Sequence, residues 1–441
     1  MAWYLVLASM IGGICFLMLI GIPVAFAFLG ANIIAALFFF GGLPGIQQVL
    51  VNGLGSITIF TFVTVPLFLI MGELFFRTGL ALRVFDALDI LLGRLPGRLA
   101  FLTVGGGSLF STLTGSSMAN TAMLGSLLLP EMKKRGYKPY MAMGPILGTG
   151  GLAMIIPPSG LAVLLGSIAQ IDIAALLIAG LIPGFVLAGL YAGMIAFQLW
   201  LDPDAAPSYE VQSHGWREKV RAVAVNILPM SFVIFAVIGS ILLGLATPSE
   251  AAAFGVAAVI ILAAAFRCLT WNAMFQAFRG ALRVSGMIFL IIVGSSTFSQ
   301  ILAYSGATVG MVEFVTRTQF DPNIMLLIMF GTLLLLGTMI DATSIMMLTV
   351  PIFFPIAKAL GFDPVWFGLV LLLGIEMSGT TPPFGMLLFV MLGVAPPGTT
   401  LWQVARAAAP FLFCDAILLA LLIAFPMLAL YLPRLAQAAS G

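Results

Sequence analysis

Long apolar stretches separated by short polar ones run along most of this chain, and their length predicts its elements. From Trp3 to Tyr431, apolar runs follow one another with no long polar segment between them. Runs of roughly 17 to 25 residues have the length that a helix needs to cross the hydrocarbon core of a bilayer. Because lipid offers the backbone no hydrogen-bond partners, the spans are predicted to be helices. The pattern therefore predicts an all-α polytopic membrane protein with about ten full crossings.

Polar residues and prolines interrupt this apolar pattern at four places. The stretch TGSSMANTA, residues 114–122, places five hydroxyl or amide side chains among small residues inside an apolar segment. The stretch MIDATS, residues 339–344, does the same around a carboxylate. Paired prolines at 157–158 and 382–383 interrupt two further apolar runs. Adjacent prolines remove backbone donors and leave upstream carbonyls without helical partners, so each of these two helices is predicted to be discontinuous.

The second half of the chain repeats the turn residues of the first half. A shift of 225 residues aligns Pro130 with Pro355, Lys133 with Lys358, Gly136 with Gly361, Pro139 with Pro364, Pro157 and Pro158 with Pro382 and Pro383, and Gly160 with Gly385. Coincidence at so many Gly and Pro positions predicts two copies of one structural unit, joined through the polar segment 201–221.

The charges of matched loops predict that the two units are inverted relative to each other. Residues 131–140 contain four bases and one acid, whereas the matching residues 356–365 contain one base and one acid. The preceding loops agree, since residues 77–98 contain four arginines and residues 304–321 contain one. Lys and Arg accumulate in cytoplasmic loops. The first loop of each pair is therefore predicted to be cytoplasmic and the second to lie outside, with both chain termini outside.

This orientation predicts two re-entrant hairpins, because a segment whose two flanking loops lie on one side must enter the membrane and return. The chain is then predicted to consist of four parts. Residues 1–55 are N-terminal scaffold helices; 56–200 are the first repeat, with a hairpin at about 99–132 and a broken helix at about 141–166; 201–283 are a cytoplasmic linker and scaffold helices; and 284–432 are the second repeat, with a hairpin at about 322–357 and a broken helix at about 366–391.

The hairpin tips and helix breaks are predicted to form a binding site near the middle of the membrane. Irregular backbone at that depth is tolerated only where it is buried in protein or lines a wet cavity. Unpaired carbonyls with Ser, Thr, Asn and one carboxylate supply oxygen ligands for a small cation such as Na⁺, and half-helix N-termini suit a carboxylate. Asp341 is the sharpest candidate, because a carboxylate in an apolar region costs about 2.5 to 3.5 kcal/mol.

Structural explanations stay open for the same residues. Asp341 could cap a half-helix. Ser116 and Ser117 could allow close packing of helices, as could Asn120 and Thr343. The paired prolines could do no more than kink their helices. Three further acids have no assigned role at this point: Glu73, Glu376 and Asp415.

Composition disfavours several other classes of protein. With 62% apolar and 8% charged residues, the chain cannot bury its apolar surface as a soluble globule. The one histidine, His214, falls in the most polar segment and the three cysteines are widely spaced, which disfavours a Ser-His hydrolase and a metalloenzyme. No GxxxxGK[ST] motif occurs, which disfavours an ATP-driven pump. We therefore expect no catalytic site, no cofactor besides a coupling ion and no nucleic-acid partner.

Six motifs are spread through most of the chain: GSSMAN, LPEMKKRGY, IIPPS, GLATPSEAAA, GTMIDAT and GTTPPFG. Together they resemble the large membrane subunit, DctM-like or M subunit, of the tripartite ATP-independent periplasmic (TRAP) transporters. The resemblance implies an elevator-type transporter in the bacterial inner membrane, in which sodium entry drives uptake of an organic acid such as a dicarboxylate or a sugar acid. It also implies two partners, a small four-helix membrane subunit and a periplasmic substrate-binding protein.

The resemblance further implies which residues form the site, namely those of the tips and breaks. In the first repeat they are Ser116, Ser117, Asn120, Pro157, Pro158 and Ser159, and in the second Asp341, Thr343, Thr380, Thr381, Pro382 and Pro383. Sodium is expected at Ser116, Ser117, Asn120, Asp341, Thr343 and Thr381, with the substrate between the tips.

No Lys or Arg lies in either tip or either break. A substrate carboxylate would therefore depend on amides, hydroxyls, bound sodium or a base from elsewhere. Two rival functions stay open. One is a stand-alone sodium- or proton-coupled carboxylate symporter that needs no binding protein, and the other, from a different class, is a membrane-embedded enzyme.

Overall fold

The protein is all-helical in every part that its computed structural model describes, which is residues 2–93, 95–114, 117–207, 215–338, 340–383 and 385–440. Side chains are described in these ranges except at 111–114, 439 and 440. The first half contains α1 (Trp3–Leu19), α2 (Val24–Phe39), α3 (Leu43–Ile57), α4 (Thr64–Arg77), α5 (Leu80–Leu92), α6 (Arg98–Thr114), α7 (Ser117–Lys134), α8 (Pro139–Ile155), α9 (Gly160–Ala169), α10 (Ile173–Ala179) and α11 (Leu181–Leu201).

The second half contains another eleven described helices. They are α12 (Trp216–Ala222), α13 (Leu228–Leu242), α14 (Pro248–Ala265), α15 (Trp271–Tyr304), α16 (Ala307–Arg317), α17 (Pro322–Leu336), α18 (Ala342–Ala359), α19 (Pro364–Thr380), α20 (Met386–Val394), α21 (Leu401–Ala424) and α22 (Met427–Ser440). A 3-10 turn at Phe60–Val63 precedes α4, and a π turn at Val223–Ile227 joins α12 to α13.

Within the described residues, seven helical segments are long and apolar enough to cross a membrane, or eight if one bent pair counts as a span. The seven are Phe60–Arg77, Ile173–Leu201, Trp216–Leu242, Pro248–Ala265, Trp271–Tyr304, Ala342–Ala359 and Leu401–Ala424. The bent pair is α8 with α9, at an angle of 44°. Shorter apolar helices such as α1 and α2 add to these. The chain is thus a multi-pass α-helical membrane protein, as its apolar pattern predicts, while the count of about ten crossings stays a prediction.

The two halves follow the same order of helices. Helix α7 runs from Ser117 to Lys134 and α18 runs from Ala342 to Ala359, so that 225 residues separate both their starts and their ends. Helices α8 and α19 are related by the same distance. In each half this helix is followed by a break and a shorter helix, α9 or α20. The order agrees with the sequence repeat, whereas the inverted orientation of the two units stays a prediction.

The helices that surround the breaks form two groups in the described part of the chain. In the first helix group, α15 packs along α2, α3 and α4, and α14 packs on α4 and α13. In the second helix group, α8 packs against α6, α7, α11, α19 and α21, and α9 and α18 pack against each other and against α19. The groups meet where α15 contacts α18 and where α4 contacts α6 and α9. The tips and breaks lie along this boundary.

Helix α8 lies in the middle of the second helix group and is surrounded by protein. Every residue from Met141 to Ile155 is buried. Its apolar residues do not favour one face, which is the pattern of a helix buried all round. Glycines allow the close packing, since a Cβ at Gly148 would lie 2.6 Å from the Phe411 ring of α21. A helix enclosed in this way can place polar groups inside the protein without exposing them to lipid.

Both helix breaks lie at the paired prolines. Helix α8 ends at Ile155, and Ile156 is extended; α9 starts again at Gly160, where the Ser159 hydroxyl accepts a hydrogen bond from the Ala162 N–H at 3.2 Å. Helix α19 ends at Thr380 and α20 starts after Gly385. The Pro157-Pro158 and Pro382-Pro383 peptide bonds are cis. The first pair of prolines is buried and the second is exposed, so the two breaks have different surroundings.

The loop after α7 is tied to the segment after α11. The Lys138 ammonium and the Tyr140 hydroxyl donate to the Asp202 carboxylate at 2.5 and 2.8 Å, and the Lys138 N–H donates to the Ala205 carbonyl at 2.9 Å. The hydrogen bond from Lys138, with that from Tyr140, holds the pKa of the Asp202 carboxyl below its ordinary value. The carboxylate therefore stays charged at any pH near neutrality, and the base of the first hairpin keeps this anchor.

Candidate functional site

The first tip is the junction between α6 and α7. Helix α6 ends at Thr114 and α7 begins at Ser117. The predicted site residue Ser116 lies outside the described residues. Ser117 is buried and starts α7, so its side chain lies at the end of a helix rather than within one. Asn120, one turn further, is fully buried, and its side-chain amide donates to the Thr149 carbonyl of α8 at 3.1 Å.

The second tip is the start of α18, and Asp341 caps it. The Asp341 carboxylate accepts hydrogen bonds from the backbone N–H of Thr343 at 3.1 Å and of Ser344 at 3.4 Å, and also from the Ser344 hydroxyl. A carboxylate at this position satisfies backbone donors that a helix start leaves unpaired. Capping, one of the two roles that the sequence left open for Asp341, is therefore present. It does not use all the lone pairs of the carboxylate, which has about four acceptor positions.

The two tips meet in one cavity of about 350 Å³. Ser117 comes from the first tip, and Asp341 and Thr343 come from the second. Gly160 follows the first break, while Ser378 and Gly379 precede the second one. The opposite wall is apolar and belongs to the first helix group, with α4 and α15 contributing Val65, Leu69, Val284, Met287, Ile288 and Ile291. The cavity thus lies at the boundary between the two helix groups.

Glu376 lies in the wall of this cavity and is the residue that sequence reasoning left without a role. Its side chain is buried, with 2% of the residue exposed. One carboxylate oxygen, Oε2, accepts a hydrogen bond from the Ser117 hydroxyl at 3.1 Å. The other, Oε1, is buried and has no hydrogen-bond partner among the described residues. Since Ser117 belongs to the first hairpin and Glu376 to α19, this bond joins the two halves of the chain.

The position of Glu376 follows from where α19 ends and from a glycine on α8. The helix continues to Thr380, so Glu376 lies one turn from its end, close to the break. A Cβ at Gly151 would lie 2.8 Å from Glu376 Oε1, so only glycine leaves room for the carboxylate. An acid inside an otherwise apolar helix is a signal of function that the sequence does contain.

A second buried acid, Asp415, lies on the far side of Glu376. Asp415 is 3% exposed, and its carboxylate accepts a hydrogen bond from the Tyr191 hydroxyl at 2.5 Å. Asp415, Tyr191 and Glu376 line the same small enclosed space, together with Thr380. Glu73, by contrast, pairs with Arg77 at 3.1 Å on the surface of α4. Of the three acids that the sequence left without a role, Glu376 and Asp415 are therefore buried among polar groups and Glu73 is not.

The remaining predicted site residues do not line the cavity between the tips. Ser159 is buried and caps α9. Pro157 and Pro158 face a small apolar space beside Phe68 and Val237. The Thr381 hydroxyl donates to the Met377 carbonyl at 2.6 Å, and the exposed residues Pro382 and Pro383 lie beyond it. The structure thus brings Ser117, Asp341 and Thr343 together and adds Glu376 to them.

The ionisable side chains of the cavity between the tips are acids. They are Asp341 and Glu376 among the described lining residues, none of which is Lys, Arg or His. No group of three or more His, Cys, Asp and Glu that could hold a metal ion occurs in the described residues. The polar groups that this lining offers a ligand are the oxygens of hydroxyl and carboxyl groups.

Known proteins are similar to this chain in sequence and in fold. The large permease protein TeaC of an ectoine TRAP transporter from Halomonas elongata is 28% identical over 98% of this chain and 99% of its own length. The isethionate TRAP transporter permease protein DctMQ of Oleidesulfovibrio alaskensis is also 28% identical, over 99% of this chain and 66% of its own length. Among solved structures, the Alcanivorax borkumensis YdaH transporter has a similar fold, with a TM-score of 0.64 over 88% of this chain and 90% of that one, at 15% identity.

The model of one family matches residues 11–428, nearly the whole chain. Its description is the DctM component of the tripartite ATP-independent periplasmic transporter. This agrees with the family that the six sequence motifs indicate. The chain therefore belongs to the DctM family, the large permease subunits of TRAP transporters.

Proposed function

We propose that this chain is the transporting subunit of a sodium-coupled importer for a small organic acid. It works in the bacterial inner membrane with a small membrane subunit and a periplasmic substrate-binding protein. The observation that carries the proposal is the single cavity in which Ser117, Asp341, Thr343 and Glu376 meet at the boundary of the two helix groups. A site built from both hairpin tips and next to both breaks is the arrangement of a secondary transporter.

The chemistry of the cavity favours sodium as the coupling ion. Three hydroxyls and two carboxyl groups of the described lining offer oxygen ligands, and one oxygen of Glu376 is buried without a hydrogen-bond partner in the described part of the chain. A buried carboxylate without a partner is costly, so a bound cation would stabilise it. With sodium present, the cavity becomes less negative and an anionic substrate can enter. Binding of the two ligands would then be coupled.

The position of the cavity favours an elevator movement of inverted repeats. One wall comes from the first helix group and the rest from the tips and breaks of the second. If the second helix group slides along α4 and α15, the site moves with it while the apolar wall stays in place. Residues 131–140 contain four bases and residues 356–365 contain one, and this difference supports the inversion that such a movement requires.

The relatives support the choice of substrate and partners. TeaC is named for ectoine and DctMQ for isethionate, and we extend to this chain the general class of small organic acids. About a third of DctMQ lies outside the part that this chain matches, which supports a second membrane component as a partner of this chain. A dicarboxylate and a sugar acid are further candidates within the same class.

The experiment that tests the proposal is uptake into vesicles that contain this chain and its small partner subunit. Ectoine, isethionate, succinate and gluconate are offered with the binding protein, under an inward sodium gradient or an equal potassium gradient. We expect uptake only with sodium and only with the binding protein. Uptake without the binding protein would support the stand-alone symporter instead, and uptake driven by a proton gradient alone would remove sodium from the mechanism.

A binding measurement on the purified chain tests sodium separately. A ligand that binds only the folded protein stabilises it by RT ln(1 + [L]/Kd), so NaCl should raise the unfolding temperature above that in KCl at equal ionic strength. The rise should be smaller in Ser117→Ala, which loses the hydroxyl that contacts Glu376. Equal midpoints in the two salts for the unaltered chain would mean that the cavity does not bind sodium without its partners.

A further inference from the structure

A second cavity, which we call the outer cavity, lies at the ends of α9 and α18 that are remote from the break and the tip. It has a volume of about 510 Å³ and is larger than the cavity between the tips. Ser167 to Gln170 from the end of α9 and Val350 to Lys358 from the second half of α18 line one side. Residues Ile292 to Gln300 of α15 line the other. Like the first cavity, it therefore lies between the two helix groups.

The two cavities follow one another along the same helices. On α15, Ile291 lines the cavity between the tips and Ile292 lines the outer cavity. On α9, Leu161 lines the former and Ser167, less than two turns further, lines the latter. The outer cavity is next to the loop 356–365, which the loop charges predict to lie on the outer, non-cytoplasmic side of the membrane. A substrate that arrives from outside would therefore meet the outer cavity first.

Polar side chains line part of the outer cavity, and several of their hydrogen-bond donors have no partner among the described residues. The hydroxyls of Ser295 and Ser296 donate to protein oxygens, but Ser299 on the same helix has no hydrogen bond to any described residue. The side-chain amide of Gln300 accepts from Asn52 at 2.8 Å, which leaves its NH₂ group available. The Gln170 side chain is exposed and has no described partner. Free N–H and O–H groups suit a ligand that accepts hydrogen bonds.

The charge of the outer cavity is opposite to that of the cavity between the tips. Lys358 is the charged residue among the described residues that line it, and no described carboxylate forms an ion pair with this ammonium. An unpaired ammonium beside free hydroxyl and amide donors suits a carboxylate or another oxyanion. The volume lies in the range of small-molecule sites, about 300 to 1,000 Å³.

We propose that the outer cavity is an entry site for the anionic substrate, in which Lys358, Ser299 and Gln300 bind its acid group before it reaches the cavity between the tips. The proposal rests on the proposed function, since it assumes that the substrate is a small organic acid that arrives from outside. It also supplies the base that both tips and both breaks lack. The substrate class is a small organic anion with one acid group on a polar body, because the described lining contains one cation and several hydroxyl and amide groups.

Lys358 also has a simpler explanation, which the test must separate. It lies in the last turn of α18, where a cation complements the negative end of the helix dipole. Arg317 lies in the last turn of α16 in the same way, is exposed, and does not line the outer cavity. Arg317→Gln is therefore a matched control for Lys358→Gln, because both remove an exposed last-turn cation.

The experiment measures the local charge directly and needs no knowledge of the substrate. Ser299→Cys is introduced into a variant in which the three native cysteines, Cys15, Cys268 and Cys414, are replaced by Ala. The chain is kept in cell membranes with its partner subunits. Two thiol reagents that do not cross membranes are added from outside: the anionic sulfonatoethyl and the cationic trimethylammonioethyl methanethiosulfonates. The ratio of their reaction rates reports the electrostatic potential at residue 299.

We expect the Ser299→Cys thiol to react from outside and to favour the anionic reagent. A unit charge roughly 6 Å away in water changes each rate by about threefold, in opposite directions, so the ratio should fall about tenfold in Lys358→Gln. It should be unchanged in Lys358→Arg and in Arg317→Gln. In uptake assays, Lys358→Gln should raise KM several-fold and leave kcat unchanged.

Three results would overturn the entry site. The thiol could react only after the membrane is opened, the rate ratio could be unchanged in Lys358→Gln, or the rate ratio could fall equally in Arg317→Gln. None of these results depends on transport. Failure of the unaltered chain to transport any acid would instead contradict the proposed function, while the labelling would still report whether the outer cavity attracts anions.

Discussion

The hydrogen bond between Ser117 and Glu376 connects two residues that are 259 positions apart and belong to different halves of the chain. It is made inside the protein, where a hydrogen bond contributes about 1 kcal/mol and leaving one of its partners unpaired costs about 1 to 3 kcal/mol. The carboxylate has a second oxygen available for an ion or a substrate. A movement of the first tip would therefore change the hydrogen bonding of Glu376, which lies close to the second break.

Glu376→Gln keeps the size of the side chain and removes its charge. We expect sodium-driven uptake to fall at least about tenfold, which corresponds to the loss of roughly 1.4 kcal/mol of interaction with a charged group. Glu73→Gln is the control, because Glu73 pairs with Arg77 at the surface of α4, away from the cavity. Uptake and the amount of folded protein are measured for both. Unchanged uptake by Glu376→Gln would remove this carboxylate from the mechanism.

Asp341 has a capping role that must be separated from any role in ion binding. Asn caps helices about as well as Asp, so Asp341→Asn should keep α18 stable and lose only the charge. Asp341→Ala should lose both, with a further cost of about 1 kcal/mol. We expect sodium-dependent stabilisation and uptake to disappear in both variants, while the unfolding temperature without sodium falls only in the Ala variant. Sodium-dependent stabilisation that persists in Asp341→Asn would leave capping as its only role.

The sequence alone identifies polar and acidic residues that interrupt apolar runs, but it does not identify the residues that they contact. Asp341 stands out because a carboxylate interrupts an apolar run, and it indeed lines the cavity. Asn120 stands out for the same reason, yet its amide donates to Thr149 of α8 and it does not line the cavity. Glu376 received no role because its partner, the Ser117 hydroxyl, is 259 residues away in the chain. A contact between segments so far apart is set by packing that the sequence does not display.

At the scale of elements, the glycines of α8 decide how closely the other helices approach the site. Gly151 faces the Glu376 carboxylate and Gly148 faces the ring of Phe411. These contacts explain why a helix surrounded by protein contains so many residues without side chains. A side chain at Gly151 would push α19 away from the first tip and lengthen the Ser117–Glu376 hydrogen bond.

Gly151→Ala is expected to destabilise the folded protein by about 1 to 3 kcal/mol, the usual cost of overpacking a core. A Cβ there would lie 2.8 Å from Glu376 Oε1, which is closer than atoms in contact approach. Gly189→Ala on α11 is the control, since a Cβ at that position meets no atom within 4 Å. The control should be neutral or slightly stabilising. Thermal unfolding in detergent compares the two, and equal midpoints would show that α8 and α19 can separate without cost.

The breaks could be located from sequence because their cause is local. Two adjacent prolines cannot continue a helix, and the structure places both interruptions at Pro157-Pro158 and Pro382-Pro383. Their surroundings could not be located in this way. The first pair is buried beside Phe68 and the second is exposed, because burial depends on neighbouring helices distant in sequence.

At the scale of the whole molecule, membrane insertion was predictable and the arrangement of helices was not. A chain with 62% apolar residues in long runs has no soluble alternative. The described residues are helical and contain seven or eight segments long and apolar enough to cross a membrane, as this composition predicts. The contact of α15 with both α4 and α18 depends on shape complementarity between segments far apart in the chain. The cavities arise from those contacts, so their positions could be described only from the structure.

The predicted inversion of the two repeats can be tested with a matched pair of positions. Lys134 ends α7 and Ala359 ends α18, and both are exposed. In cells, a thiol reagent that does not cross membranes should label Ala359→Cys from outside and should label Lys134→Cys only after the membrane is opened. The chain without its three native cysteines is the blank. Labelling of both positions from the same side would contradict the inversion.

The burial of α8 has a consequence for how the chain is made. This helix is completed early in synthesis, yet part of its surface is covered by α19 and α21, which lie near the other end of the chain. At about 5 to 20 residues per second, the ribosome needs on the order of tens of seconds to supply those helices. During that interval the polar groups around Gly151 have no permanent cover. Assembly of the central helix therefore waits for the last part of translation, and a chain truncated before Leu401 should be recognised by membrane proteases as unfinished.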